Sequence, residues 1–113
     1  MVSKLMSQQH SALCTLAREK PKARKLLLSK AKRPIIDALS ECALNILKGS
    51  VKLSDKQKSK LKRFKHYIRE LSKKRVSLKK KKEISQSGGF IPALLGAILP
   101  VIGSLIAKAI SKK

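Results

Sequence analysis

Charge in this chain is sorted along the sequence, and that sorting limits the possible folds more than any single motif does. Of its 28 Lys and Arg residues, 25 lie before Gly89 together with all 6 Asp and Glu, whereas Gly88 to Ala107 contains no charged residue. The first part therefore holds +19 of the +22 net charge. Such a charge repels itself in any compact state and favours an anionic partner. The uncharged part, by contrast, gains only by leaving water. With aromatics at 3% and no Trp, packing must come from Leu, Ile, Val and Ala, which favours helices. At 113 residues the chain has the length of one ordinary domain. The expected class is all-α: a small basic helical region over 1–76, a Lys-rich connector over 77–89 ending in a Gly-Gly hinge, and a separate hydrophobic C-terminal helix over 90–113.

Local signals punctuate the basic region. From Ser3 to Arg18, the positions of Leu5, Met6, Gln9, Leu13, Leu16 and Ala17 predict a modest amphipathic helix. Glu19-Lys20-Pro21 ends it, because the residue before a proline is driven from helical angles. Pro21 then opens a short helix through Leu26, Leu27 and Leu28, and Arg33-Pro34 repeats the device. Ile35, Ile36, Leu39, Cys42, Ala43, Ile46 and Leu47 form a wide apolar stripe that Gly49 is placed to terminate. Asp37 and Glu41 stand in the first half of that helix, where negative charge complements the dipole. Ser54 and Gln57 match a capping box. A single helix is expected to follow, with Leu61, Phe64, Ile68 and Leu71 as a narrow seam. Val76 to Ile84 reads either as one more short helix capped by Ser77 or as a solvated extension, since its adjacent lysines repel.

After Gly89 the pattern changes kind. Phe90 to Ile106 is apolar on nearly every face, and an uncharged run of about 20 residues spans roughly 30 Å as a helix, the thickness of a bilayer's hydrocarbon. Pro100 is expected to kink it, while Gly96, Gly103 and Ser104 permit close helix packing. A core helix buried against the amphipathic helices is the alternative to an independent, membrane-seeking or self-associating element.

Chemistry is sparse. No paired carboxylates, nucleophile elbow or phosphate loop occurs, and His10 and His66 each fall alone on polar helix faces, so the chain reads as a non-enzyme with neither cofactor nor metal. Cys14 and Cys42 lack metal-ligand spacing and read as reduced, buried thiols of an intracellular protein. The N-terminus lacks the long apolar core of a secretory signal. What remains is the positive charge. Double-stranded DNA is the leading partner, because closely spaced phosphates reward Lys and Arg by counterion release. The candidate contacts are Lys56, Lys58, Lys60, Lys62, Arg63, Lys65, Arg69, Lys73, Lys74, Arg75, Lys79, Lys80, Lys81 and Lys82. Lys predominates among them and only Phe64, Tyr67 and Phe90 could stack on bases, so backbone binding is expected over sequence reading. The rival class is a membrane-active or membrane-anchored basic protein whose lysines grip anionic headgroups. A module for an acidic protein partner is a third.

The order of these parts carries a resemblance. A basic region, then Gly88-Gly89, then Phe90-Ile-Pro-Ala-Leu-Leu95 and a second proline at Pro100 resembles the precursor of the adenovirus core protein X, or mu. Lys-rich helices ahead of Lys79-Lys80-Lys81-Lys82 and Gly-Gly-Phe are similar, from about Ala12 onward, to the X-like core proteins of adintoviruses and Polinton-type elements. The resemblance implies a polycation that condenses genomic DNA in the virion, with passage through the host nucleus. It also implies a viral maturation protease cutting after Gly-Gly; Gln86, Ser87, Gly88, Gly89 and Phe90 are similar to such a site. The freed tail could then meet membrane or capsid proteins. Two departures stand out: this chain is Lys-rich where the adenovirus protein is Arg-rich, and it has a helical region that the short adenovirus precursor lacks.

Overall fold

A computed structural model describes residues 3–87 and 89–111, with side chains described as far as residue 104. The chain is all-helical, with seven helices among the described residues: α1 (Lys4–Arg18), α2 (Pro21–Ser29), α3 (Arg33–Leu47), α4 (Asp55–Lys62), α5 (Lys65–Ser72), α6 (Leu78–Ser85) and α7 (Phe90–Ser111).

The ends of the helices follow the sequence signals. Ser3 caps α1, its Oγ accepting from the Met6 N–H at 3.1 Å and donating to Glu41 Oε2 at 2.6 Å, which ties the start of α1 to α3. Arg24 donates to the Leu16 and Glu19 carbonyls, so this arginine closes the C-terminal end of α1. Gly49, at φ +73°, ends α3: its N–H reaches the Ile46 carbonyl while the Ser50 N–H reaches that of Asn45. Those two bonds satisfy carbonyls that the helix leaves open, and the left-handed angle suits glycine. Ser54 and Gln57 form the reciprocal capping box of α4. Ser77 caps α6 by accepting from the Lys80 N–H at 3.2 Å.

One expected helix is two. The Leu61–Leu71 seam is interrupted at Phe64, whose N–H bonds to the Leu61 carbonyl and whose angles leave the helical region. Neither Pro nor Gly stands there, so the cause is tertiary. The Phe64 ring lies 5.7 Å from that of Phe90 and 6.3 Å from that of Tyr67, and Tyr67 is 5.7 Å from Phe90. The break lets α4 lean on α7 while α5 packs on α3.

The hydrophobic C-terminal helix forms where expected, and through residue 102 it is packed in the core. Phe90, Ile91, Leu94, Leu95, Ile98 and Ile102 are each fully buried. Helix α7 lies mainly on α1 and also meets α3 and α4. Its buried residues form one cluster with Met6, Leu13, Ile36, Leu39, Leu71 and Ile84, so the basic region, the connector and the tail segment share a core. The radius of gyration, 13.3 Å, equals the ~13 Å of a packed chain of this length. The physical reason is scarcity: α1, α3, α4 and α5 each offer a limited apolar stripe, and α7 supplies the apolar surface that closes them. Among the described residues no single helix is long and apolar enough to cross a membrane. Helices α6 and α7 meet at 92°, and Gly89 between them takes φ +79°.

Two smaller expectations change. His10 is half-buried rather than idle: its Nε2 lies 3.7 Å from Cys14 Sγ, and it sits beside Gly103 of α7. Cys42 is buried as expected, but Cys14 is only half-buried.

Candidate nucleic-acid interface

Between Asp55 and Lys82 stand 14 of the 28 Lys and Arg with only two acids, so half the positive charge is concentrated in a quarter of the chain. The fold directs it outward. In α4 and α5 the buried side chains are Leu61, Ile68 and Leu71, which leaves Lys56, Lys58, Lys60, Lys62, Lys65 and Arg69 on the solvent side. Arg63, in the break between those helices, is exposed, as are Lys73, Lys74 and Arg75 after α5 and Lys79 and Lys80 in α6. Twelve of the 14 candidate contacts are therefore exposed. The only ion pair among the described residues joins Lys73 to Glu70 at 2.9 Å. That bond is the main reason the Glu70 carboxyl is held below its ordinary range. Opposing charge is otherwise too scarce to neutralise the surface.

Two candidates stand apart. Lys82 is half-buried. Lys81 is not a surface contact, since it is 8% exposed and its Nζ donates to Ser40 Oγ at 3.0 Å. Ser40 in turn donates to the Ile36 carbonyl, so the lysine is tied into α3. Burial pushes the Lys81 ammonium below its usual range; Asp37 opposes that shift and Arg33 adds to it. The run of four lysines concealed this: α6 must turn one side toward α3, and Lys81 shares it with Ile84 and Ser85.

Sequence reasoning also passed over Arg33. It meets Lys74, Arg75 and Lys81 in a cleft of about 390 Å3, with Asp37 and Ser77 also in its wall. Residues 33 and 74 are too far apart in sequence for any local pattern to pair them.

The aromatic side chains are committed elsewhere. Phe64 and Tyr67 are half-buried and Phe90 fully buried, each packed on the others, so none of these three rings is free to stack on a base, and only the imidazole of His66 is exposed nearby. Among the described residues no group of three or more His, Cys, Asp or Glu is arranged to hold a metal ion.

Of the Gly-Gly segment, Gly88 lies outside the described residues. Gln86 and Ser87 are half-buried and Gly89 is exposed, but Phe90 on its other side is fully buried. The Phe90 N–H bonds to the Ser87 carbonyl and the Ala93 N–H to that of Gly89, so the first turn of α7 begins at once. A protease would have to open that turn to draw an extended strand into its cleft. Comparison with protein-family models, with curated proteins and with solved structures gives no match to this chain.

Proposed function

We propose that the chain binds double-stranded DNA without sequence preference and compacts a genome as a virion core protein, acting by binding and not by catalysis. The observation that carries this reading is the exposed surface running from α4 through α5 and the segments between helices to the start of α6, where twelve cations face solvent and one is paired. Phosphate at close spacing is the polyanion such a surface fits, and Lys heads act as point charges on it. The packing of Phe64, Tyr67 and Phe90 on one another favours the duplex backbone over unstacked bases. The order of charge, Gly-Gly and apolar segment, similar to X-like core proteins, supports a virion and host-nuclear setting.

On this reading α7 has two states. In the free chain it closes the core. Released by opening of the bundle, which a cut after Gly89 by a viral maturation protease would make irreversible, it becomes the separate hydrophobic helix, available to membrane or capsid proteins. A membrane-active role is the second reading, favoured by one observation: α6 and the 90–104 part of α7 together have the length and composition of a broken span. It requires the bundle to unfold on the lipid.

The test uses the full chain and a 20-base-pair duplex in fluorescence anisotropy at rising salt. If about six phosphates are engaged, log K should fall with log salt at a slope near −5, alike for unrelated sequences. A slope near zero, or binding only to vesicles of anionic lipid, would overturn the DNA reading.

A further inference from the structure

Helix α6 starts with the wrong charge. Lys79 and Lys80 lie in its first turn, with Lys81 and Lys82 directly after and no acid in that turn. Positive charge there opposes the helix dipole and the unsatisfied N–H groups. The same end faces the cleft in which Arg33, Lys74, Arg75 and Lys81 converge, opposed by the single carboxylate of Asp37. No ion pair forms in that cleft among the described residues. Arg33 and Lys81 oppose one another strongly enough to help depress the lysine. A dianion would relieve all of these at once.

One hydroxyl stands at that spot. Ser77 is exposed, lines the cleft, and is the N-cap of α6. It follows Lys73-Lys74-Arg75-Val76 in an exposed turn, and no other serine in the chain has cations at both the second and third positions before it. Protein kinases select substrates by charge patterns, and those with an acidic substrate groove take this one. The turn is open to such an enzyme, since Lys73, Lys74, Arg75 and Ser77 are all exposed.

We propose that Ser77 is a phosphorylation site for a basophilic serine/threonine kinase, and that the phosphate is then held in the fold by Arg33, Lys74, Arg75 and Lys81. In the transfer, Ser77 Oγ forms the bond to the γ-phosphorus of ATP, the bond to the ADP oxygen breaks, and the hydroxyl proton passes to the kinase's base. The product carries about −1.5 to −2 charges at neutral pH and three acceptor oxygens, placed where a helix N-terminus and four cations await them. It should therefore tighten α6 on the bundle. A consequence that rests on the DNA reading is that it also removes Lys74 and Arg75 from the phosphate-binding surface and weakens DNA binding, which would make compaction reversible.

The test treats the full folded chain with the catalytic subunit of such a kinase and Mg-ATP, then maps phosphate by mass spectrometry and follows melting without DNA. Expected are one phosphate on Ser77, a melting temperature raised by several degrees at low salt, and a smaller rise at high salt. Ser77→Asn keeps a capping oxygen and should take no phosphate at this turn. Arg33→Gln should be phosphorylated normally but show a reduced rise. Absence of phosphate from Ser77, or phosphate there with an unchanged or lowered melting temperature, would overturn the proposal. If duplex binding by the phosphorylated chain, measured by anisotropy, is unaltered while the melting temperature rises, the site stands and Lys74 and Arg75 lie outside the DNA interface. If neither form binds the duplex, the DNA reading falls and the site still stands.

Discussion

Ending the chain at Gly89 should abolish the cooperative fold rather than liberate a stable basic domain. The truncation removes Phe90, Ile91, Leu94, Leu95, Ile98 and Ile102, all fully buried. At about 1.5–3 kcal/mol for each large apolar side chain withdrawn from water, the loss is roughly 9–18 kcal/mol, an upper estimate because unfolded chains already hide some surface. A domain of this size is ordinarily stable by only about 5–15 kcal/mol, so even the lower figure consumes most of it. Tyr67, the single tyrosine of a chain without tryptophan, lies 5.7 Å from the Phe90 ring and so reports whether α7 is docked. Urea titration of the full chain should give coincident transitions in far-ultraviolet circular dichroism and Tyr67 fluorescence. The 1–89 chain should show no transition and reduced helicity, recovered in part when duplex DNA screens its charge. A cooperative transition for residues 1–89 at the full-length midpoint would mean that the core does not depend on α7. A chain cut after Gly89 but otherwise whole should keep its tail bound through the same side chains.

Other consequences are separately testable. Replacing Lys81 by Met should leave the DNA salt slope unchanged and stability equal or higher, because an ammonium at a desolvated site is exchanged for an apolar chain; Lys80→Met should flatten the slope by about one unit. Ser54→Ala should cost about 1 kcal/mol in urea unfolding through loss of the α4 capping box. Burial, aided by Glu41, pushes the Cys42 thiol up to about 12 from 9.0. Its folded value lies above the unfolded one, so that contribution is intact below pH 9 and is lost as pH rises toward 12. At pH 9 an alkylating reagent should therefore label half-buried Cys14 in the folded chain and Cys42 only in urea, as peptide mass mapping would show.

The helix boundaries were legible because they are written in local chemistry. Pro21, Pro34, Gly49, Ser54 with Gln57, and Ser77 each act within a turn of their own position, and each stands at or next to a helix end. The tail's destination was not legible. A segment apolar on every side has no periodicity to show which face it buries, and a core helix and a bilayer span share that composition. The break at Phe64 and the burial of Lys81 were hidden for a related reason: both depend on partners more than 25 residues away, Phe90 in one case and Ser40 in the other. The apolar stripe of α3 is also narrower than its sequence pattern, for Leu47 remains exposed. Of the candidate interface, the sequence identified the cations and their number. It could not show that one of them is held inside, or that Arg33 joins Lys74 and Arg75 across the fold.

DNA binding by this chain requires that the exposed cations of α4 and α5 engage phosphate. Changing Lys58, Lys62, Lys65 and Arg69 to Gln leaves the buried seam of Leu61, Ile68 and Leu71 intact. The salt dependence of duplex binding by this variant, measured beside the full unmodified chain, shows whether they do. An unchanged fold and a slope flattened by about 2–4 units are expected, close to 0.9 for each phosphate no longer neutralised. An unaltered slope would mean that these four cations do not meet the duplex, and the proposed interface would fall.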